Sequence, residues 1–476
     1  MKGLKQILQN KITRYALLFT VFILFIYRLG SYIVIPGMAN WVITNATDTT
    51  FMTQTVALFD FFGGGNLSAM SLFALGVSPY ITASIVVQLL ESDLIPAMSE
   101  WKHQGVDGQN KRSNWTKYLS ILFAFIQSFG VLAGYYLMYD YAVVADPSVF
   151  GYLQVIIIMA AGSALVVWLS DRITENGVGN GVSVIISAGI LSRIPLEFEQ
   201  IVKDFSSSIS TPVELGVFYQ DPIQYFKNLY SLISQNPDLL NNIILWSSIF
   251  VVLIIVIIAV IYYTLASRKI PINYVRGRST TIRENSYLPI KLNPAGVIPV
   301  IFVYPLFLLL NIGIKYLFTL DFFAKNGQGN VEKFILSLVG DVPSGTDHDI
   351  FFKVVYICSY GLFILLFSIF YSYVQMNPEE MTKNLEKQSA YIVNVRPGKN
   401  TLDYLTNTIN RTSFWGGLIL VIIAIIPLIL ENFLNVNVSL SLLGTGLIII
   451  ISVIVQVYES LINKSTVKKY RSIIGE

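Results

Sequence analysis

The chain has 476 residues, of which 54% are hydrophobic and 13% charged, and its mean hydropathy is +0.61. A soluble globular chain carries about 25% charged residues, so this proportion excludes a cytosolic enzyme, a disordered scaffold and a nucleic-acid binder. Lys and Arg number 32 against 29 Asp and Glu, a net charge of +3 that implies no polyanionic partner by itself. The single cysteine, Cys358, lies inside an apolar run. His103 and His348 are too few and too scattered for a metal site, so neither metal nor cofactor is expected. The composition is that of a polytopic membrane protein.

A membrane-crossing helix needs about 20 largely apolar residues. In chain order such runs fall near 15–35, 77–91, 118–138, 152–170, 181–199, 243–266, 295–314, 351–373, 413–430 and 440–458. The second and fifth are short or interrupted by glycine and proline. The expected fold is therefore all-α, with ten transmembrane helices.

Lys and Arg concentrate in alternate connections, and 24 of the 32 lie on one side of this arrangement. They include Lys2 to Arg14, Lys102 to Lys117, Arg172, Arg268 to Lys291, Lys383 to Arg411, and Lys464 to Arg471. Basic loops stay inside, so both termini are expected in the cytoplasm. The first apolar run is full length and lacks a small-residue cleavage site, so no cleavable signal is expected. Two five-span parts of one chain must be inverted relative to each other, an arrangement that builds many transport pathways. The expected division is 1–200, an outer connection 201–242, and 243–476, with cytoplasmic loops 267–291 and 374–411.

The spans are almost free of the Asp, Glu, His and Lys that bind coupling ions, which argues against an ion-driven transporter. Arg28 is the clearest exception, and snorkelling toward the interface is its simplest role. Metalloprotease, serine hydrolase and P-loop signatures are absent. The run Gly177-Val178-Gly179-Asn180-Gly181 lies between two spans rather than after a strand. It is a tight turn opening the fifth helix, with Asn180 at its start.

The stretch from Phe61 to Ser92 carries most information. Gly63, Gly64 and Gly65 confer backbone freedom, a short segment Asn66–Leu75 follows, and Gly76 and Pro79 mark the start of span two. Such a segment is too short to cross a membrane. It is either an ordinary outer loop or an element entering a pore, since non-helical backbone at membrane depth must be buried in protein or line a wet cavity.

Six motifs occur in order: Phe61–Leu90, Trp168–Ser183, Lys291-Leu-Asn-Pro-Ala-Gly-Val-Ile-Pro299, Asn377-Pro-Glu-Glu-Met-Thr-Lys-Asn-Leu385, Val395-Arg-Pro-Gly398 and Leu443-Gly-Thr-Gly446. In this the chain resembles the SecY family, the central subunit of the Sec protein-conducting channel. The resemblance implies an hourglass pore between two inverted halves. Nascent preproteins cross it unfolded, and apolar signal sequences and segments leave sideways into membrane lipid between helices two and seven.

On the same ground a plug is expected over about 61–75, carried by Asn66, Leu67, Ser68, Ala69, Met70, Ser71, Leu72 and Phe73. The positions matching the family's aliphatic ring are Ile81, Ile85, Ile186, Ile190, Ile298, Ile301 and Ile449. Each pair has i,i+3 or i,i+4 spacing and so shares a helix face, and an apolar constriction seals by dewetting. Isoleucine facing lipid is the ordinary alternative for any one of them. Gln88, Gln127 and Asn293 could line the lateral gate, or serve simply as helix–helix hydrogen bonds.

The long basic connections serve topology alone, or dock a cytosolic partner. The resemblance implies the latter, with Arg276, Arg278 and Arg396 contacting the ribosome and the motor ATPase SecA. It also implies small membrane subunits of the SecE and SecG type. A guanidinium beside Pro397 and Gly398 has a fixed backbone approach and can form a bidentate bond to a carboxylate. The outer segments 194–242 and 315–350 are long for the family. The competing function is a secondary transporter of a small solute with the same inverted architecture.

Overall fold

Each of the ten apolar runs falls on a helix in the computed structural model, which describes residues 11–39, 60–61, 63–91, 98, 101, 104–139, 144–208, 237–274, 287–319, 330–339, 349–434 and 440–474. The helices of the first part are α1 (Lys11–Gly30), α2 (Ser78–Leu89), α3 (Val106–Tyr139), α4 (Val149–Asn176) and α5 (Gly181–Ser208). The second part contains α6 (Pro237–Leu265), strands β1 (Ser267–Tyr274) and β2 (Tyr287–Lys291), α7 (Ile298–Thr319) and the short α8 (Asn330–Leu338). It continues with α9 (Asp349–Gln375), α10 (Pro378–Lys387), β3 (Ala390–Ile392), α11 (Lys399–Leu434) and α12 (Leu440–Ile474). Seven helices, α1, α3, α4, α6, α9, α11 and α12, are long and apolar enough to cross a membrane among the described residues. The 12 residues of α2 reach only about 18 Å at 1.5 Å each, less than the hydrocarbon thickness.

Local chemistry sets several ends. Ser148 opens α4 by accepting the Gly151 N–H at 3.1 Å, and Asn180 opens α5 by accepting that of Val182 at 3.1 Å. Asn377 caps α10, with Pro378 in its first turn, Glu379 and Glu380 following, and Lys387 in its last turn. Those charges complement the helix dipole at both ends.

The main packing contacts fall into two groups. Within the first part, α3 packs on α2 and α4, and α1 and α5 both pack on α4. Within the second, α9 packs on α7, α8 and α11, and α12 packs on α6 and α11. The groups meet along two seams, α2 and α3 against α7 on one side, and α5 against α12 and α6 on the other.

The basic connections add a feature absent from an all-helical expectation. β1 pairs antiparallel with both β2 and β3, in the order β2-β1-β3 with Ser267 opposite Lys291 and Ile272 opposite Ile392. One face of this sheet buries Ile270, Ile272, Ile290 and Ile392 against Leu385 of α10 and Leu405 and Ile409 of α11. At 36 residues α11 is about 54 Å long, more than a bilayer needs, so its first turns support the sheet beyond the membrane. Arg276 and Arg278 lie outside the described residues.

Gly162 of α4 lies against the chain ahead of α2, where an added Cβ would collide with the Leu72 carbonyl oxygen. Gly162→Ala should therefore cost about 1–3 kcal/mol as an overpacked contact and lower the thermal midpoint of the detergent-solubilised protein. An unchanged midpoint would mean that Leu72 does not rest on α4.

Candidate functional site

The seven isoleucines come from four helices: Ile81 and Ile85 from α2, Ile186 and Ile190 from α5, Ile298 and Ile301 from the start of α7, and Ile449 from α12. Six are buried, Ile298 is half-buried, and all belong to one apolar cluster that spans both helix groups. The two seams therefore supply the two sides of this cluster. Phe61, fully buried, joins it, since a Cβ on Gly446 would meet the Phe61 ring at 2.7 Å and Ile190 at 2.8 Å. The sequence reading placed Phe61 at the edge of the plug, not among the ring residues.

Residues 63–77 are not helical, yet they are mostly buried. Leu67, Met70 and Leu75 pack between α3 and α4 with Val131, Leu132 and Met159. Phe73 turns the other way into the isoleucine cluster and stacks on Tyr27 of α1, with ring centroids 5.6 Å apart. Asn66, Ser68 and Ser71 are buried, Leu72 is half-buried and Ala69 is exposed. The segment is thus a packed element, not an exposed loop. A short antiparallel bridge ties the segment to 33–35: Leu72 donates to the Ile33 carbonyl at 2.7 Å, and Ile35 to that of Met70 at 2.9 Å.

Asp60 organises the entry to this segment. Its Oδ1 accepts from the Leu67 and Ser68 amides at 2.9 and 2.8 Å, and its Oδ2 pairs with Arg193 of α5 at 3.3 Å. The Asp60 side chain is 1% exposed and that of Arg193 20%, so the pair is less screened than a surface ion pair. Gly64 and Gly65, at φ 77° and 81°, take the left-handed conformation needed to pass this point. A Cβ on Gly64 would stand 2.8 Å from the Gly189 backbone. Sequence reasoning missed Asp60 and Arg193, although an acid ahead of Phe-Phe-Gly-Gly-Gly and a lone base late in an apolar run were visible signals. Arg28 does more than snorkel: it donates to the Ser192 hydroxyl and to the Tyr32 hydroxyl, both at 3.2 Å.

The three amide side chains gather at the α2–α3–α7 seam in unequal ways. Gln127 of α3 donates to Thr82 of α2 at 3.3 Å, a helix–helix bond inside the first group. Gln88 donates to Ser84 on its own helix at 2.8 Å, and Asn293 donates to the Gly296 carbonyl at 2.5 Å ahead of α7. The carbonyl oxygens of Gln127 and Asn293 are buried without a partner among the described residues. Gln88 and Ser84 also interact with Tyr371 of α9, a polar tie between the two helix groups; interhelical bonds of this kind average about 0.6 kcal/mol.

Arg396 is exposed in the turn from β3 to α11. Thr401 donates its hydroxyl to the Arg396 carbonyl at 2.9 Å, and its N–H to Gly398 at 3.0 Å. The turn is therefore held by the first turn of α11 while the guanidinium points outward, unlike the half-buried Arg193. No cluster of metal-ligating side chains occurs among the described residues.

Two groups of apolar helices meeting along two seams over a shared apolar cluster, with a buried non-helical segment beside it, are the architecture of a membrane channel. The chain belongs to the SecY family, whose sequence profile matches residues 71–458. It is 36% identical over 454 residues to protein translocase subunit SecY 1 of Lactobacillus kefiranofaciens, covering 95% of each chain. It is 35% identical over 469 residues to protein translocase subunit SecY of Staphylococcus carnosus, covering 98% of each. Among solved structures, a protein-conducting channel superimposes with a TM-score of 0.60 at 19% identity, covering 94% of this chain and 92% of that one. Sec61 in the canine ribosome-channel complex from the endoplasmic reticulum superimposes with a TM-score of 0.57 at 19% identity, over the same shares. At these identities the likeness is one of fold.

Replacing Ile85 and Ile298 together by glycine should open the apolar cluster to water and raise the resting ion conductance of membranes carrying the channel, without abolishing polypeptide export. Conductance equal to wild type would remove these two residues from the constriction.

Proposed function

We propose that the chain is the pore subunit of a channel that passes unfolded preproteins across the cell membrane of a bacterium. Residues 1–200 and 243–476 form inverted halves, and both termini face the cytoplasm. The seven isoleucines form the seal, and the segment Asn66–Phe73 plugs its outer side. Apolar segments leave into lipid between α2 and α7, past Gln88, Gln127 and Asn293. The observation that carries this reading is the convergence of isoleucines from four helices on one apolar cluster, beside a buried segment with no helix of its own. An aliphatic ring excludes ions when dry, yet its side chains can move apart around a passing chain. Solute transport lacks support, because a small-solute site would need polar or charged groups converging at the constriction.

The test is site-directed crosslinking from Ile85→Cys in a Cys358→Ser background, using an arrested secretory precursor. Adducts should form only when a chain is translocating. A precursor engaged elsewhere on the protein that never reaches position 85 would overturn the pore assignment.

The three-stranded sheet and the adjoining turn form the cytoplasmic docking face for the ribosome and the SecA motor, and small SecE- and SecG-type subunits cover the membrane body. Arg396 is the exposed charge on the most firmly held turn of that face, and it suits a carboxylate on the motor. Arg396→Glu should lower motor-driven export about tenfold or more, the scale of one lost charge-assisted contact, while the channel still assembles. Normal export rates in inverted membrane vesicles would remove Arg396 from motor coupling.

A further inference from the structure

The plug reading leaves open what holds the segment in place, and Asp60 joins it to a separate helix. Asp60 immediately precedes the segment, and its partner Arg193 lies on α5, more than a hundred residues away in the chain. The two carboxylate oxygens have different duties: Oδ1 takes the Leu67 and Ser68 amides, and Oδ2 takes the guanidinium. Arg193 also packs across the glycine turn, where a Cβ on Gly65 would meet its Nη1 at 3.1 Å, and its Nε is buried without a bond. A second, uncharged link lies opposite: the Asn66 amide donates to the Tyr27 hydroxyl at 2.9 Å, and that hydroxyl donates to the Gly63 carbonyl at 3.2 Å. The segment is thus held to α5 by an ion pair and to α1 by a neutral chain of hydrogen bonds.

We propose that Asp60 and Arg193 form an electrostatic latch that keeps the plug seated and sets the threshold for its release. The proposal rests on the plug assignment above. Displacing the segment away from α5 separates an ion pair whose carboxylate is 1% and whose guanidinium side chain is 20% exposed, where the attraction is less screened than at the open surface. The Tyr27–Asn66 link carries no net charge and is the weaker restraint. The Tyr27–Asn66 link restrains the segment against α1 and the ion pair restrains it against α5, the charged restraint being the stronger. Asp60 and Arg193 are accordingly positioning residues, acting through the segment and not on the translocating chain.

The experiment uses the channel with its small membrane subunits in proteoliposomes, in a Cys358→Ser background. Ser71→Cys serves as reporter, since Ser71 is 0% exposed when the segment is seated. Asp60→Asn keeps an acceptor for the two amides and removes only the charge. Both it and Arg193→Met should speed labelling of position 71 by a membrane-impermeant maleimide about tenfold and raise resting conductance, because one charge-assisted contact no longer favours the seated state. Arg193→Lys should behave as wild type, which a purely packing role for the arginine would not give. Deletion of residues 66–73 is the control. If the deletion raises conductance while Asp60→Asn labels at the wild-type rate, the latch is wrong and the plug stands. If the deletion leaves conductance unchanged, the plug assignment fails and the latch with it. Should Arg193→Met not accumulate, the nearly isosteric Asp60→Asn decides alone.

Discussion

Buried backbone that is not helical must find a partner for every N–H and C=O, and this constraint governs the centre of the molecule. The stretch Gly63–Val77 meets it with bonds from several sources. Asp60 accepts two amides, its own carbonyl accepts Gly65, the strand-like residues 33–35 take Met70 and Leu72, and Ser163 of α4 donates to the Gly76 carbonyl. Each partner belongs to a different part of the first helix group. A segment satisfied this way is well ordered, yet most of its ties are short-range bonds within the segment itself. Its shape therefore rests mainly on bonds of its own, and its position on a few contacts to α1, α4, α5 and residues 33–35.

The two seams between the helix groups differ in kind. On the α5–α12 side, glycine allows close approach, with Gly446 against Phe61 and Ile190 and Gly179 against Val457. Lys464 of α12 adds a bond to the Gly177 carbonyl at 2.5 Å, and Val178, Leu461 and Ala16 pack together at the basic end. On the α2–α7 side, Gln127 bonds Thr82 within the first group, while Gln88 and Ser84 of α2 also reach Tyr371 of α9 across the groups. Interhelical cohesion in lipid comes from packing and hydrogen bonds, because lipid tails solvate apolar side chains as well as other helices do.

Charge is scarce in this chain, and its distribution carries meaning at both ends. At the basic end, Lys291 of β2 pairs with Glu459 of α12 at 2.6 Å, and Lys269 lies over the Tyr287 ring at 4.7 Å. These surface contacts are each worth less than about 1 kcal/mol, so the sheet is held chiefly by its buried isoleucines. At the other end Asp60 is buried and its partner Arg193 half-buried, so solvent screens that pair less than the surface contacts.

Much of the architecture was legible without coordinates. Apolar run lengths determined where helices form, since hydrocarbon thickness demands about 20 residues, and charge sorting determined the expected orientation. The glycine triplet and Pro79 marked a segment that could not be an ordinary span. Ordered motifs, not isoleucine spacing, singled out seven isoleucines among many. The three-stranded sheet was not legible, because β1, β2 and β3 are short, two contain proline, and the β1 and β3 partners Ile272 and Ile392 lie more than a hundred residues apart. The roles of Phe61, Asp60 and Arg193 were not legible either. A local pattern reports which face of an element is apolar, but only the folded chain determines which distant side chain meets a buried charge. Sequence alone determined that this is a helical membrane protein built like a channel. Tertiary structure decided how its non-helical segment is held, because that depends on contacts between residues with no periodic relation to one another.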